Sequence, residues 1–360
     1  MFSSFLLRSF RILLFPFALL YGAGVLIRNG LYNKKIFKSA SFNLPIICIG
    51  NLAVGGTGKS PMVEFLVNRL KNRYALAILS RGYRRKTKGY ILATPDTTAT
   101  DIGDEPFMFY SKHPEIPVAV GEERVYAIPM LLHDRPATQA IILDDAFQHR
   151  EVTAGLNILL TDYSNLFTRD FFLPTGDLRD ARSSAKRAQV VVVTKCPPNI
   201  TDTEKEQVKQ SLSLQPQQEL YFSAIGYHTP YHIITKEKKP LQPDMEALLV
   251  TGIARPQAIK KYLAGELHSY NCITFRDHHI FDIDDLRQIK KEFAFIGNKN
   301  AIILTTEKDA VRLVKFGKEL DGLPLYVLPI ETQILFEAEE KLVTTVTTFI
   351  NRFKDSPVPE

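Results

Sequence analysis

Cysteine is scarce and badly placed for cross-linking: the chain has three among 360 residues, Cys48, Cys196 and Cys272, and no two form a Cys-x-x-Cys pair. That excludes a disulfide framework and a thiolate zinc site, and it suits a reducing compartment. Repeats and low-complexity tracts are absent too, and 45% apolar with 23% charged residues is the balance of a folded chain rather than a disordered one. The first 40 residues contain no Asp or Glu, yet carry Arg8, Arg11, Arg28, Lys34, Lys35 and Lys38, which leaves 39 basic residues against 39 acidic ones in the rest. The whole excess of +6 therefore sits at the N-terminus, which argues against a nucleic-acid surface.

A long apolar span is missing as well. Residues 12–27 are uncharged, but as a helix they would cover about 24 Å, short of the roughly 30 Å of a hydrocarbon core. Basic residues flank the run on both sides, whereas a spanning helix concentrates them on one. A helix lodged in one leaflet and attracted by anionic lipid fits better. A signal peptide fits poorly, because Tyr21 stands where a cleavage site wants a small residue; a buried core helix is the remaining alternative.

What is present is a phosphate cradle. Residues 45–60 read Pro-Ile-Ile-Cys-Ile-Gly-Asn-Leu-Ala-Val-Gly-Gly-Thr-Gly-Lys-Ser, an apolar strand entering a glycine-rich turn. Such a turn lets consecutive N–H groups converge on phosphate oxygens, while Lys59 adds a point charge and Ser60 a hydroxyl for Mg²⁺. The usual pattern places its first glycine where this chain has Ala53; Gly50, Gly55 and Gly56 supply flexibility nearby. Pro61 suits the first turn of the helix that follows.

Strands are expected at residues 75–79, 118–120, 140–143, 156–160 and 190–193. The last is four consecutive valines, as in a strand covered on both faces of a parallel sheet. Residues 200–243, rich in Gln, Lys, Pro and Thr, read as a connector with a short strand at 231–235. Alternation then resumes through a final amphipathic helix.

Several clusters carry chemistry. Asp144-Asp145 ends the strand at 140–143, where a nucleotide-binding fold places the acid that serves Mg²⁺, and Gln148 and His149 lie in the same turn. Gly103-Asp104-Glu105-Pro106 opens a helix-like stretch, and locally helix capping and base catalysis explain it equally well. Asp277-His278-His279 follows a strand; on spacing alone a structural reading leads. Ser80-Arg81-Gly82-Tyr83-Arg84-Arg85-Lys86-Thr87-Lys88 follows another, so a solvated loop competes with an anion contact. Residues 174–180 read as a turn, or more sharply as a phosphate-facing Arg179 with a metal-facing Asp180. Thr194-Lys195 is similar to a GTPase base-reading pair but lacks the downstream Asp.

Together with Gly252-Ile253-Ala254-Arg255-Pro256 and Thr306-Glu307-Lys308-Asp309-Ala310, these motifs resemble the tetraacyldisaccharide 4'-kinase family of lipid A biosynthesis. The resemblance implies transfer of the γ-phosphate of ATP to the 4'-hydroxyl of an acylated glucosamine disaccharide 1-phosphate, at the cytoplasmic face of the inner membrane, with no nucleic acid and no obligate protein partner. It implies that Val54, Gly55, Gly56, Thr57, Gly58, Lys59 and Ser60 bind ATP. Ser60, Asp144, Asp145 and Asp180 would serve Mg²⁺, and Asp104 would be the base with His278 as its partner. Arg81, Tyr83, Glu105, Gln148, His149 and Arg179 would face the substrate. The family commonly has Gly where this chain has Arg84 and Ala146, and Glu at Asp180. A membrane-associated P-loop GTPase or ATPase switch is the alternative.

The expected fold class is α/β: a P-loop NTPase-type parallel sheet domain with an N-terminal membrane-associated helix, plus a second, smaller α/β domain. The expected ranges are 1–40 for the helix and its basic flank, 41–225 for the kinase domain, 226–246 for a connector, 247–354 for the smaller domain and 355–360 for a frayed tail.

Overall fold

The computed structural model describes residues 11–298 and 300–354; Arg8 and the tail at 355–360 lie outside them. Its strands are β1 (Ile46–Asn51), β2 (Leu76–Ser80), β3 (Ile91–Leu92), β4 (Val118–Val120), β5 (Ala140–Asp144), β6 (Leu156–Asp162), β7 (Val190–Thr194), β8 (Glu219–Tyr227), β9 (Tyr231–His232), β10 (Glu246–Thr251), β11 (Ser269–Thr274), β12 (Ile302–Thr306), β13 (Leu325–Leu328) and β14 (Ile330–Ile334). They form a nine-stranded sheet in the order β14-β8-β7-β6-β1-β5-β2-β4-β3 and a five-stranded sheet in the order β11-β10-β12-β13-β9.

The large sheet is parallel from β8 to β4, with antiparallel β14 and β3 at its edges. Its central strands are apolar without alternation because helices cover both faces; every residue of β1, β2, β5 and β7 is buried. Ligands of such sheets sit beyond the carboxyl ends of the strands, where β1, β2 and β5 deliver Asn51, Ser80 and Asp144. The small sheet is parallel except for β9.

Two segments depart from the sequence reading. The stretch taken as a connector contains the helix Asp202–Leu212 and β8, a full strand paired on both sides. Its polar composition hides the helix, although Thr201 and Glu204 form a capping box that marks its start. The range 247–354 does not stay with the small sheet: β14 returns to pair with β8. The helix Glu339–Lys354 then buries Leu342, Val346 and Ile350 in the same core as Met62 and Leu66. Those residues sit four apart on one face, and burying each stabilises the large unit by roughly 1.5–3 kcal/mol.

The helix Phe15–Asn33 packs by a narrow seam of Ala18, Gly22, Asn29 and Tyr32. Gly22 is required there, since a Cβ would lie 2.7 Å from the Phe172 ring. Around the seam the helix is apolar and open, with Phe17 61% and Leu20 72% exposed and Leu13 just before it 71% exposed. No described helix is long and apolar enough to cross a membrane.

Candidate active site

The loop between β1 and the helix Lys59–Leu70 is built for close approach. Gly55 and Gly58 have φ of +99° and +82°, a backbone region where other residues are strained. A Cβ on Gly50 would fall 2.6 Å from that of Phe147. At the position of the missing glycine, Ala53 bridges Leu178 and the Val54 N–H donates to the Asp177 carbonyl at 2.8 Å, so a neighbouring turn braces the loop's entry. Side chains brace the rest: Asn51 Nδ2 donates to Thr57 Oγ1 at 2.7 Å, Thr194 Oγ1 donates to the Thr57 carbonyl at 2.9 Å, and Lys195 Nζ donates to the Gly56 carbonyl. The Thr194-Lys195 pair set aside in the sequence thus supports the phosphate loop.

Every residue to which the resemblance gives a binding, metal, catalytic or substrate role lines one cleft of about 1120 Å³. On its large-sheet wall Lys59 Nζ lies 3.7 Å from Asp145 Oδ1, and Asp145 is clasped by Arg179. Burial opposes ionisation of Asp145, but Lys59 and Arg179 outweigh it and hold the carboxyl at about 2. Asp144 behaves oppositely. Burial, then Glu105 and Asp145, push it up to about 7. Ser80 Oγ donates to its Oδ2 at 3.2 Å, while Oδ1 is buried without a partner. A carboxylate oxygen left open beside further acids suits a cation. No group of three or more His, Cys, Asp or Glu among the described residues could hold a metal by itself, so the fit is to Mg²⁺ completed by phosphates and water.

Asp180 lines the cleft and anchors its neighbours. Its Oδ1 accepts from Asn29 Nδ2 at 2.7 Å, Ser184 Oγ at 2.9 Å and the Ala181 N–H at 2.7 Å, and its Oδ2 meets Arg187 Nη2 at 3.1 Å. These bonds fill Oδ1 and leave Oδ2 with Arg187 alone, and through them Asp180 ties the N-terminal helix to the site. Gln148 Nε2 is likewise spent on the Asn51 carbonyl at 2.7 Å. His149 is pushed down to about 4 by burial and then by Arg124 and Arg81, which keeps a neutral ring in the cleft. Arg85, within the basic run, pairs with Glu122 at 2.7 Å.

The opposite wall comes from the small sheet. Arg312 Nη2 donates to Asp104 Oδ2 at 2.6 Å and lies 3.0 Å from His278 Nδ1, which is itself 3.3 Å from Asp104 Oδ2. The two neighbours make opposite demands on Nδ1: it accepts from the guanidinium, which only donates, in one tautomer, and donates to the Asp104 carboxylate when it carries the proton. Burial raises the Asp104 carboxyl, but the bonds from His278 and Arg312 win and bring it to about 2. Asp145, Lys195 and His278 all have φ between +50° and +60°, each at a cost on the order of 1 kcal/mol, which surrounding bonds offset. Tyr83 stands edge-on to the His278 ring at 5.8 Å.

The sequence reading missed Arg312, Lys308 as a cleft residue, and the wall made by Leu20, Tyr21, Gly24, Val25 and Arg28. The signal for the first two was their spacing, four apart on the helix Glu307–Leu313, which puts both on one face.

A family profile described as tetraacyldisaccharide-1-P 4'-kinase matches residues 10–351. The chain is 46% identical over 328 residues to the tetraacyldisaccharide 4'-kinase of Flavobacterium johnsoniae, covering 90% of this chain and 93% of that one. The chain belongs to the tetraacyldisaccharide 4'-kinase family. It is also 44% identical over 358 residues to the enzyme of that name from Bacteroides fragilis, covering 96% and 95% of the two chains. Among solved structures it resembles the "apo" form of LpxK from Aquifex aeolicus in complex with ATP, with a TM-score of 0.72, 26% identity, and 95% of this chain and 99% of that one covered. Membership in a kinase family does not favour the nucleotide-switch alternative.

Proposed function

We propose that this chain is an ATP-dependent lipid kinase that phosphorylates the 4'-hydroxyl of a tetraacyldisaccharide 1-phosphate. The observation that carries the reading is the convergence, in one cleft, of a phosphate loop, an acid–histidine pair and the apolar N-terminal helix. Val54 to Ser60 cradle the phosphates and Lys59 neutralises charge on them. Asp144, with Ser60 and Asp145 nearby, would hold Mg²⁺, which when bound neutralises charge on the triphosphate. Asp104 orients the sugar hydroxyl and receives its proton. A carboxylate held near 2 is a weak base, which suits a loose transfer in which the proton leaves late. Arg81, Tyr83, Glu105, His149 and Arg179 line the space left for the disaccharide.

The N-terminal helix is assigned to the lipid layer. Its exposed apolar face, basic flanks and place in the cleft wall support an enzyme seated in the cytoplasmic leaflet of the inner membrane, where ATP and an anchored acceptor meet. The kinase unit is assigned to the large sheet with its C-terminal helix, and the smaller unit to the five-stranded sheet. Incubation with labelled ATP and a disaccharide 1-phosphate lipid tests the function: label moves to the lipid, and rapid ATP hydrolysis indifferent to the lipid would overturn it.

A further inference from the structure

Lys308 and Arg312 meet two consecutive acids at the start of the helix Asp104–Lys112, Lys308 on Glu105 and Arg312 on Asp104. The two pairs differ. Arg312 is nearly enclosed and also held by Asp309 Oδ1 and the His279 carbonyl, each at 3.4 Å. Lys308 has one hydrogen-bonded partner among the described residues, Glu105 Oε1, and that same oxygen accepts from Ser60 Oγ at 3.0 Å. A single carboxylate oxygen thus bridges an ammonium group of the small sheet to a hydroxyl of the phosphate loop. The Lys308 side chain remains one-third exposed, in the cleft that Lys59 also lines.

We propose that Lys308 is a catalytic cation of the phosphoryl transfer, delivered across the cleft and positioned by Glu105, an inference that rests on the kinase reading above. An ammonium carries three donors, and Glu105 uses one of them; the others are free for phosphoryl oxygens. The need is plain from the charges. Lys59 faces Asp145, and Arg179 is spent on Asp145 and Asn51, while the transferred group spreads negative charge over three oxygens. In the step itself the bond from the γ-phosphorus to the β–γ bridging oxygen breaks and its electron pair stays on ADP. The sugar oxygen forms the new P–O bond and its proton passes to Asp104. Lys308 changes no bond; it neutralises the charge that grows between donor and acceptor, as cations do in other phosphoryl transfers.

Lys308→Met, which keeps most of the stem and removes the charge, tests this. We expect kcat to fall about a hundredfold, with KM for ATP changed less than about threefold. The decisive readout is binding of ADP with Mg²⁺ and aluminium fluoride, a mimic of the transferring group. The added affinity that fluoride confers is lost in Lys308→Met, while ADP alone binds as in the unaltered chain. Lys308→Arg retains the increment. Unchanged kcat in Lys308→Met, a kcat loss with the increment intact, or loss of the increment in Lys308→Arg as well would each overturn the proposal. The unaltered chain is assayed alongside: its failure to label the lipid would instead sink the kinase reading.

Discussion

On the large-sheet wall of the cleft, Gly55 to Ser60 follow one another along the chain and present backbone N–H groups; on the small-sheet wall, His278, Lys308 and Arg312 arrive on two separate segments and act through side-chain charge. Backbone donors are insensitive to most substitutions and bind whatever phosphate is offered. Side-chain donors depend on neighbours, as Arg312 depends on Asp309 and His278 on a left-handed backbone. On the proposed reading the difference is a division of labour in which one wall grips the nucleotide and the other completes the charge pattern across the cleft.

The sharpest way to break this division is at its strongest point. Lys59→Ala should lower activity about a thousandfold and weaken ATP binding with it; unaffected nucleotide binding would undo the assignment of the large-sheet wall. Asp104→Ala and His278→Ala should each lower kcat about a hundredfold while ATP affinity survives, and near-normal turnover in Asp104→Ala would remove its role. Replacing Leu13, Phe17 and Leu20 together by Ser should raise KM for the lipid about tenfold and release the chain from anionic vesicles, with ATP binding unchanged. Asp180→Ala should lower Tm by several degrees, since it leaves the Arg187 guanidinium without its carboxylate, and leave the Mg²⁺ dependence of the remaining activity as it was.

The smallest effect concerns pH. The Asp144 carboxyl is raised to about 7 in the folded chain, so its neutral form is favoured by folding. Stability of the ligand-free protein is then greatest below the unfolded value near 4 and falls as pH climbs towards 7. Asp144→Asn cannot ionise, so it should raise Tm at pH 8 by about 2 °C, and thermal melts at pH 5 and pH 8 would show the larger gain at the higher value.

The same contrast explains what the sequence disclosed. The glycine-rich turn between strand and helix was legible because strand, glycines, lysine and serine are contiguous, and the place of Asp144 because an apolar strand ends on it. Asp104 and His278 lie 174 residues apart; no local rule joins them, and only agreement across many motifs did. Arg312 escaped because it lies past the motif that contains Lys308. The anchoring bonds of Asp180 were not legible, because its partners Asn29 and Ser184 come from elements whose proximity is tertiary. The connector was misread for its polar composition, and β14 because its return to the large sheet is a matter of topology rather than pattern.

One attachment fixes the N-terminal helix to the cleft. Asn29 is bonded to Asp180 and Ser184, Arg150 holds the Asn29 carbonyl at 3.0 Å, and Gly22 lets Phe172 press on the helix axis. The greasy helix is thus bolted to the catalytic floor instead of hanging from a tether. On the proposed reading, its depth in the lipid fixes the height and tilt of the phosphate loop above the headgroups, so an acceptor can slide in sideways with its acyl chains never leaving the bilayer.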